Sequence, residues 1–171
     1  MLVVLAGLPG TGKTTIAAAL AAEVGATLAS VDDAEAAMLA AGIDAAQPTG
    51  LAAYVVVEQL ARRQLVAGRD VVVDAVNDAP EARDQWRALA ATTGVELRWV
   101  EVRLADEAEH RRRLAERTRD LPGGFPEPSW ASVVARRAAL EAWDEPRIVV
   151  DARQDAVASV AAIRDALRHA D

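Results

Sequence analysis

The chain has 171 residues, 52% hydrophobic and 4% aromatic, with 19 basic against 26 acidic residues for a net charge of −7. That length fits one domain large enough to fold around its own core. The absence of cysteine excludes disulfides, zinc–thiolate and iron–sulfur sites and cysteine catalysis, and the acidic balance argues against a general nucleic-acid binder.

Leu2 to Ala6 is a short branched, apolar run closed by Gly7, which reads as a buried strand. No basic region precedes it, so it does not read as a signal peptide. No uncharged apolar run reaches the length of about 18 residues that a membrane span needs, and the expectation is a soluble, cytoplasmic protein. Thr11 to Val24 reads as a helix ended by Gly25, Thr27 to Val31 as a second strand, and Ala34 to Ala41 as a short helix stopped by Gly42. Leu51 to Ala67 reads as one long helix, although Val55-Val56-Val57 taken alone would suit a strand.

Asp70 to Asp74 is the clearest strand, three valines closed by an aspartate. Pro80 to Thr93 is a helix with proline in its first turn and Gly94 at its end. Val95 to Leu104 is a strand, and a charged helix runs from Asp106 to about Arg119. Residues 120–128 form a proline- and glycine-rich loop, and a helix from Ser129 to Trp143 follows it. A last strand, Arg147 to Val150, ends at Asp151 before a helix from Asp155 to His169. Five short apolar strands alternating with helices predict an α/β fold, a parallel sheet covered on both faces. Residues 1–171 form a single domain in this reading, and 106–130 form a small helical lid.

Gly7-Leu8-Pro9-Gly10-Thr11-Gly12-Lys13-Thr14 matches G-x-x-x-x-G-K-[ST], with a strand before it and a helix after it. The glycines let the backbone curl so that its N–H groups face an anion. The helix N-terminus adds a favourable field. Lys13 can reach the outer phosphates of a nucleoside triphosphate, and Thr14 offers a hydroxyl to Mg²⁺, with Thr15 beside it. Lys13 is the only lysine among the 19 basic residues. A guanidinium and an ammonium meet phosphate differently, so lysine at that one position points to a site rather than to surface charge.

Ligands of open parallel sheets bind beyond the carboxyl ends of the strands. Asp32, Asp74 and Asp151 all stand at expected strand ends. Asp32 is the candidate base that takes a proton from an acceptor hydroxyl; Asp33 points elsewhere or caps the next helix. Asp74 is a candidate for holding the metal or for binding substrate, Asn77 for touching the acceptor, and Asp151 reads as structural. Tyr54 lies where an acceptor would dock, and Glu35 and Glu58 would suit a cationic or polyhydroxyl one. Arg111, Arg112, Arg113, Arg117 and Arg119 crowd the lid helix. Arg117 and then Arg113, four apart on one face, are the candidates for neutralising a moving phosphoryl group. His110 reads as a surface residue. Trp86, Trp99, Trp130 and Trp143 read as packing residues, with Trp130 and Phe125 the aromatics best placed to meet a ligand.

The whole chain resembles the small P-loop kinases of the nucleoside-monophosphate-kinase-like group. That resemblance implies a three-layer P-loop NTPase fold, ATP and Mg²⁺ as cofactors, and an adenine pocket near the last strand, where Arg153 matches a binding position. The run Ser30 to Met38 is similar to the segment after the second strand of chloramphenicol phosphotransferases. By that similarity the base that activates a hydroxyl falls on Asp32. Val72-Val73-Asp74-Ala75-Val76-Asn77, followed by Arg83 and Trp86, resembles the D-x-T-N…R…W pattern of polynucleotide 5′-hydroxyl kinases. The arginines those enzymes carry beside the catalytic aspartate are replaced here by Val31, Asp33 and Glu35. The expected partner is therefore a small-molecule hydroxyl compound taken by a monomer or homodimer. A 5′-hydroxyl kinase of a nucleic acid or nucleotide, and an ATP-binding regulatory protein with little turnover, stand as the alternatives.

Overall fold

The computed structural model describes residues 1–117, 121, 125 and 127–169. Arg119 and most of the 120–128 loop lie outside the described residues. The elements alternate in chain order: β1 (Leu2–Ala6), α1 (Lys13–Val24), β2 (Thr27–Ser30), α2 (Val31–Ala40), α3 (Thr49–Val66), β3 (Val71–Asp74), α4 (Pro80–Thr93), β4 (Leu97–Arg103), α5 (Glu107–Glu116), α6 (Trp130–Glu141), β5 (Ile148–Asp151) and α7 (Ala156–Arg168). The five strands form one parallel sheet in the order β2-β3-β1-β4-β5.

β1 is central, and all five of its residues are buried. Leu2, Val4 and Ala6 point into a core shared with α3, α4 and α6, while Val3 and Leu5 point into a core shared with α1 and α7. A strand covered on both faces gains nothing from alternating polarity, which is why it is apolar throughout. The result is the three-layer α/β architecture of the P-loop NTPases, with helices on both sides of the sheet.

The triple valine of α3 is helical because the segment buries Thr49, Ala53, Val57, Ala61 and Leu65, every fourth residue, against the sheet. Tertiary burial overrides the strand preference of valine there. Among the described residues no helix is long and apolar enough to cross a membrane.

One boundary shifts the chemistry. β2 ends at Ser30, whose Oγ accepts the N–H of Asp33 and starts α2. Asp32 is therefore not a strand end. It is the second residue of a helix, where a carboxylate meets the positive end of the helix dipole. The cap is Ser30, not Asp33.

Candidate functional site

The loop between β1 and α1 opens with Gly7, at φ +149°. A Cβ there would stand 2.5 Å from the carbonyl oxygen of Val102 on β4, so only glycine fits. Gly12 ends the loop at φ +87° with no atom within 4 Å of where a Cβ would be. The first turn of α1 has no side-chain cap, whereas α2, α5, α6 and α7 are capped by Ser30, Asp106, Ser129 and Asp155. Its N–H groups are left to whatever anion the loop encloses.

Leu8, Gly10, Gly12, Lys13, Thr14 and Thr15 line a cavity of about 560 Å³. Ser30 lines it from the end of β2, Asp32 and Asp33 from α2, and Arg113, Glu116 and Arg117 from the end of α5. The structure thus brings the phosphate loop, the candidate base and both candidate arginines to one place. Arg117 lies 3.9 Å from Asp32. Arg113 donates to Glu109 at 2.7 Å and to the carbonyl of Ala152 at 2.9 Å, which ties α5 to the turn after β5. Hydrogen bonds from Arg112 and Arg113 hold the Glu109 carboxyl down at about 2.

Beneath the loop, Lys13 and Asp74 are both buried, 3.2 Å apart. The contact is out of hydrogen-bonding alignment, and Asp74 Oδ1 has no hydrogen-bond partner. The Asp74 carboxylate at a strand end and the Thr14 hydroxyl at the cavity wall are hard oxygen donors of the kind Mg²⁺ takes. Among the described residues no group of three or more His, Cys, Asp or Glu could hold a metal.

Several expected contacts fall elsewhere. Asn77 is fully buried at φ +54°. Its Nδ2 donates to the carbonyl of Leu5 at 2.7 Å, its Oδ1 accepts Trp86 Nε1 at 2.9 Å, and its N–H donates to the Tyr54 hydroxyl at 3.2 Å. Asn77 is thus a bolt between β1 and the β3–α4 loop and presents nothing to an acceptor. Arg83 completes the bolt by donating to the carbonyls of Asn77 and Asp78 while lying over the Trp143 ring. Its burial lowers its pKa. The N…R…W part of that pattern is a scaffold here.

Glu35 accepts the Thr49 hydroxyl at 2.8 Å, and Glu58 pairs with Arg62, so both serve helix packing rather than a ligand. Arg153 is exposed and clamped on Asp151, whose carboxyl that pairing lowers; it does not line the cavity. Tyr54 is half-buried. Burial pushes its hydroxyl up to about 12, with the charges of Asp78, Asp32 and Arg136 also acting on it.

His110, read from sequence as a surface residue, is buried. Its Nε2 lies 2.7 Å from the carbonyl oxygen of Pro9, and its ring meets Trp130 edge-on at 5.1 Å. Trp130 is also covered by Arg111, so it joins α6 to α5. The signal for His110 was its place on the stripe 110, 113, 114, 117, one face of the helix. Asp78 and Arg136, which share the surroundings of Tyr54, were also missed.

Among solved structures the fold is similar to a Chloroflexus aurantiacus protein at 21% identity, TM-score 0.77, covering 96% of each chain. It is also similar to a sugar kinase from Janibacter sp. at 22% identity and TM-score 0.71, over 99% of this chain and 95% of that one. Kti12 of Chaetomium thermophilum in complex with ADP-AlF3 matches at 23% identity and TM-score 0.67, over 97% and 98% of the two chains. At these identities the likeness is one of fold. No curated protein matches the sequence. The model of one family, described as AAA domain, matches residues 2–140, from β1 through the phosphate loop to the end of α6, and the chain belongs to that family.

Proposed function

We propose that the protein is an ATP- and Mg²⁺-dependent kinase that transfers the γ-phosphoryl group to a hydroxyl of a small molecule, with Asp32 as the base. The observation that carries this reading is convergence. Lys13, Thr14, Asp32, Arg113 and Arg117 come from three separate elements and face one cavity. A triphosphate needs the loop, the lysine and the helix N-terminus; a hydroxyl nucleophile needs a carboxylate near its proton.

Thr14 and Asp74 would hold Mg²⁺ together with the phosphates, and the bound ion would supply charge neutralisation at the β and γ oxygens. Lys13 leaves Asp74 for the outer phosphates. Arg113 and Arg117 face the phosphoryl group as it moves, and their charge falls where negative charge spreads. Asp32 accepts the acceptor's proton. Its contact with Arg117 keeps the base and the lid end together.

The test is transfer of label from γ-labelled ATP with Mg²⁺ to hydroxyl compounds, run beside Asp32→Asn. The wild type transfers label and the variant binds ATP without transferring it. A variant that transfers label at the wild-type rate would remove Asp32 from the mechanism.

A further inference from the structure

Tyr54 on α3, Asp78 in the β3–α4 loop and Arg136 on α6 meet just beyond the carboxyl end of β3, whose Asp74 pairs with Ser30 two residues before Asp32, although 82 positions separate Tyr54 from Arg136 in the sequence. We infer that these side chains recognise an uncharged polyhydroxyl compound, the acceptor of the phosphoryl group. This rests on the kinase reading above.

Three observations support that class of acceptor. First, the Tyr54 oxygen accepts the Asn77 N–H at 3.2 Å, and no acceptor for its own O–H is found among the described residues. The Asn77 N–H holds the phenol oxygen and leaves its proton to donate, and burial pushes the hydroxyl up to about 12, so that proton stays in place. Second, Arg136 Nε and Asp78 Oδ2 are 3.8 Å apart, too far to hydrogen-bond. The guanidinium keeps donors and the carboxylate keeps lone pairs for hydroxyls bridging them. Together with Tyr54 this gives donor, acceptor and donor, which matches adjacent hydroxyls, each both donor and acceptor.

Third, the charge is wrong for an anion. Asp32 and Asp33 line the cavity, and Asp78, four residues past the end of β3, already faces Arg136 at 3.8 Å. Of the cations on the cavity wall, Arg117 faces Asp32 at 3.9 Å and Arg113 is held by Glu109 and the Ala152 carbonyl. A phosphate or carboxylate on the acceptor would have to displace a carboxylate or carbonyl from one of these cations. An ammonium would compete with Arg136 for Asp78. In the transfer the acceptor O–H loses its proton to Asp32 and a new O–P bond forms. The bond between the γ-phosphorus and the β–γ bridging oxygen breaks, and ADP leaves.

The experiment offers the full chain, Mg²⁺ and γ-labelled ATP to matched acceptors: neutral sugars and polyols, the corresponding sugar acids and sugar phosphates, amino sugars, and oligonucleotides with a 5′-hydroxyl. A neutral compound should be labelled with a kcat/KM at least about tenfold above its charged counterparts. Tyr54→Phe and Asp78→Asn should each raise the KM for that acceptor about tenfold, with the KM for ATP unchanged, because a lost hydrogen bond to a bound hydroxyl is of that size. Preferred labelling of an anionic, amine-bearing or oligonucleotide acceptor would overturn the inference and leave the kinase standing. So would an acceptor KM indifferent to both substitutions. Saturable ATP binding with no compound labelled would bring down the kinase reading itself, and this inference with it.

Discussion

The phosphate loop and the acceptor half proposed above are built in opposite ways. The first is nearly continuous: Gly7 to Thr15 lie on one loop and one helix start, and the loop follows the most buried strand of the sheet. The second is assembled from α2, α3, the β3–α4 loop and α6, residues 32 to 136, and holds its shape only because those elements are packed together. A contiguous site carries its geometry in local backbone preference. A distributed one borrows it from the core. The phosphate half should therefore fail by losing chemistry, and the acceptor half by losing alignment.

Lys13 gives the largest effect. Lys13→Met should lower turnover about a thousandfold or more, the scale of losing a fixed charge at a phosphoryl-transfer site. It also strands Asp74, buried and without another partner, at a cost of about 3–5 kcal/mol. Adding Asp74→Asn removes the stranded charge, so thermal unfolding should show stability returning while activity stays absent. A double variant no more stable than Lys13→Met would show that the pair is not electrostatically coupled.

Asp32→Asn comes next, at the seam between the halves. It keeps the side-chain size and the α2 cap, since Ser30 supplies the cap. A fall in kcat of about 10²–10⁴-fold is expected with ATP affinity unchanged, as for loss of a general base. Direct ATP titration of the variant separates this from a damaged cavity.

Asn77→Ala tests the acceptor half through its support. The substitution leaves the Leu5 carbonyl and Trp86 Nε1 without their partners in the core and puts alanine at φ +54°, which asparagine tolerates better. A loss of about 2–4 kcal/mol in unfolding free energy follows from two unsatisfied buried groups. In whatever fraction remains folded, acceptor KM should rise more than ATP KM, because the loop carrying Asp78 is what Asn77 holds. Equal changes in the two would erase the contrast between the halves.

The same contrast explains what the sequence disclosed. The loop, the alternation of strands and helices and the parallel sheet are local or periodic, and each is readable in the residues alone. Asp32 was placed one element too early because Val31 extends an apolar run, and nothing in that run shows that Ser30 has already turned the chain into a helix. Asn77 looked like an acceptor contact since it follows a strand end. Its partner on β1 is 72 residues away, and no local pattern announces that bond. Glu35 and Glu58 suggested a ligand only until their partners Thr49 and Arg62 were seen. Arg136 stands by sequence as one of two adjacent arginines on a helix, and only folding brings it to Asp78.

His110 sharpens the comparison with the smallest effect, because it decides to which half α5 belongs. Its neighbours pair on the exposed side, Arg112 with Glu109 and Arg111 with Glu107, which disguises the one face turned inward. A Cβ added to Gly10 would meet Leu114 at 3.3 Å and His110 at 3.4 Å, so the helix is seated directly on the phosphate loop. A carbonyl can only accept, so Nε2 carries the proton in the 2.7 Å contact with Pro9. Arg113 and Arg117 lie one and two turns further along that face and inherit their position from this seat. His110→Phe keeps a ring against Trp130 but leaves the Pro9 carbonyl without its donor, a change of about 1–3 kcal/mol. If the helix serves the phosphate half, ATP affinity should weaken about tenfold while acceptor KM stays put, and His110→Gln, which restores a donor, should recover part of the loss. ATP titrations of the two variants beside wild type decide it: undiminished affinity in His110→Phe would mean that α5 rests on the loop without shaping it.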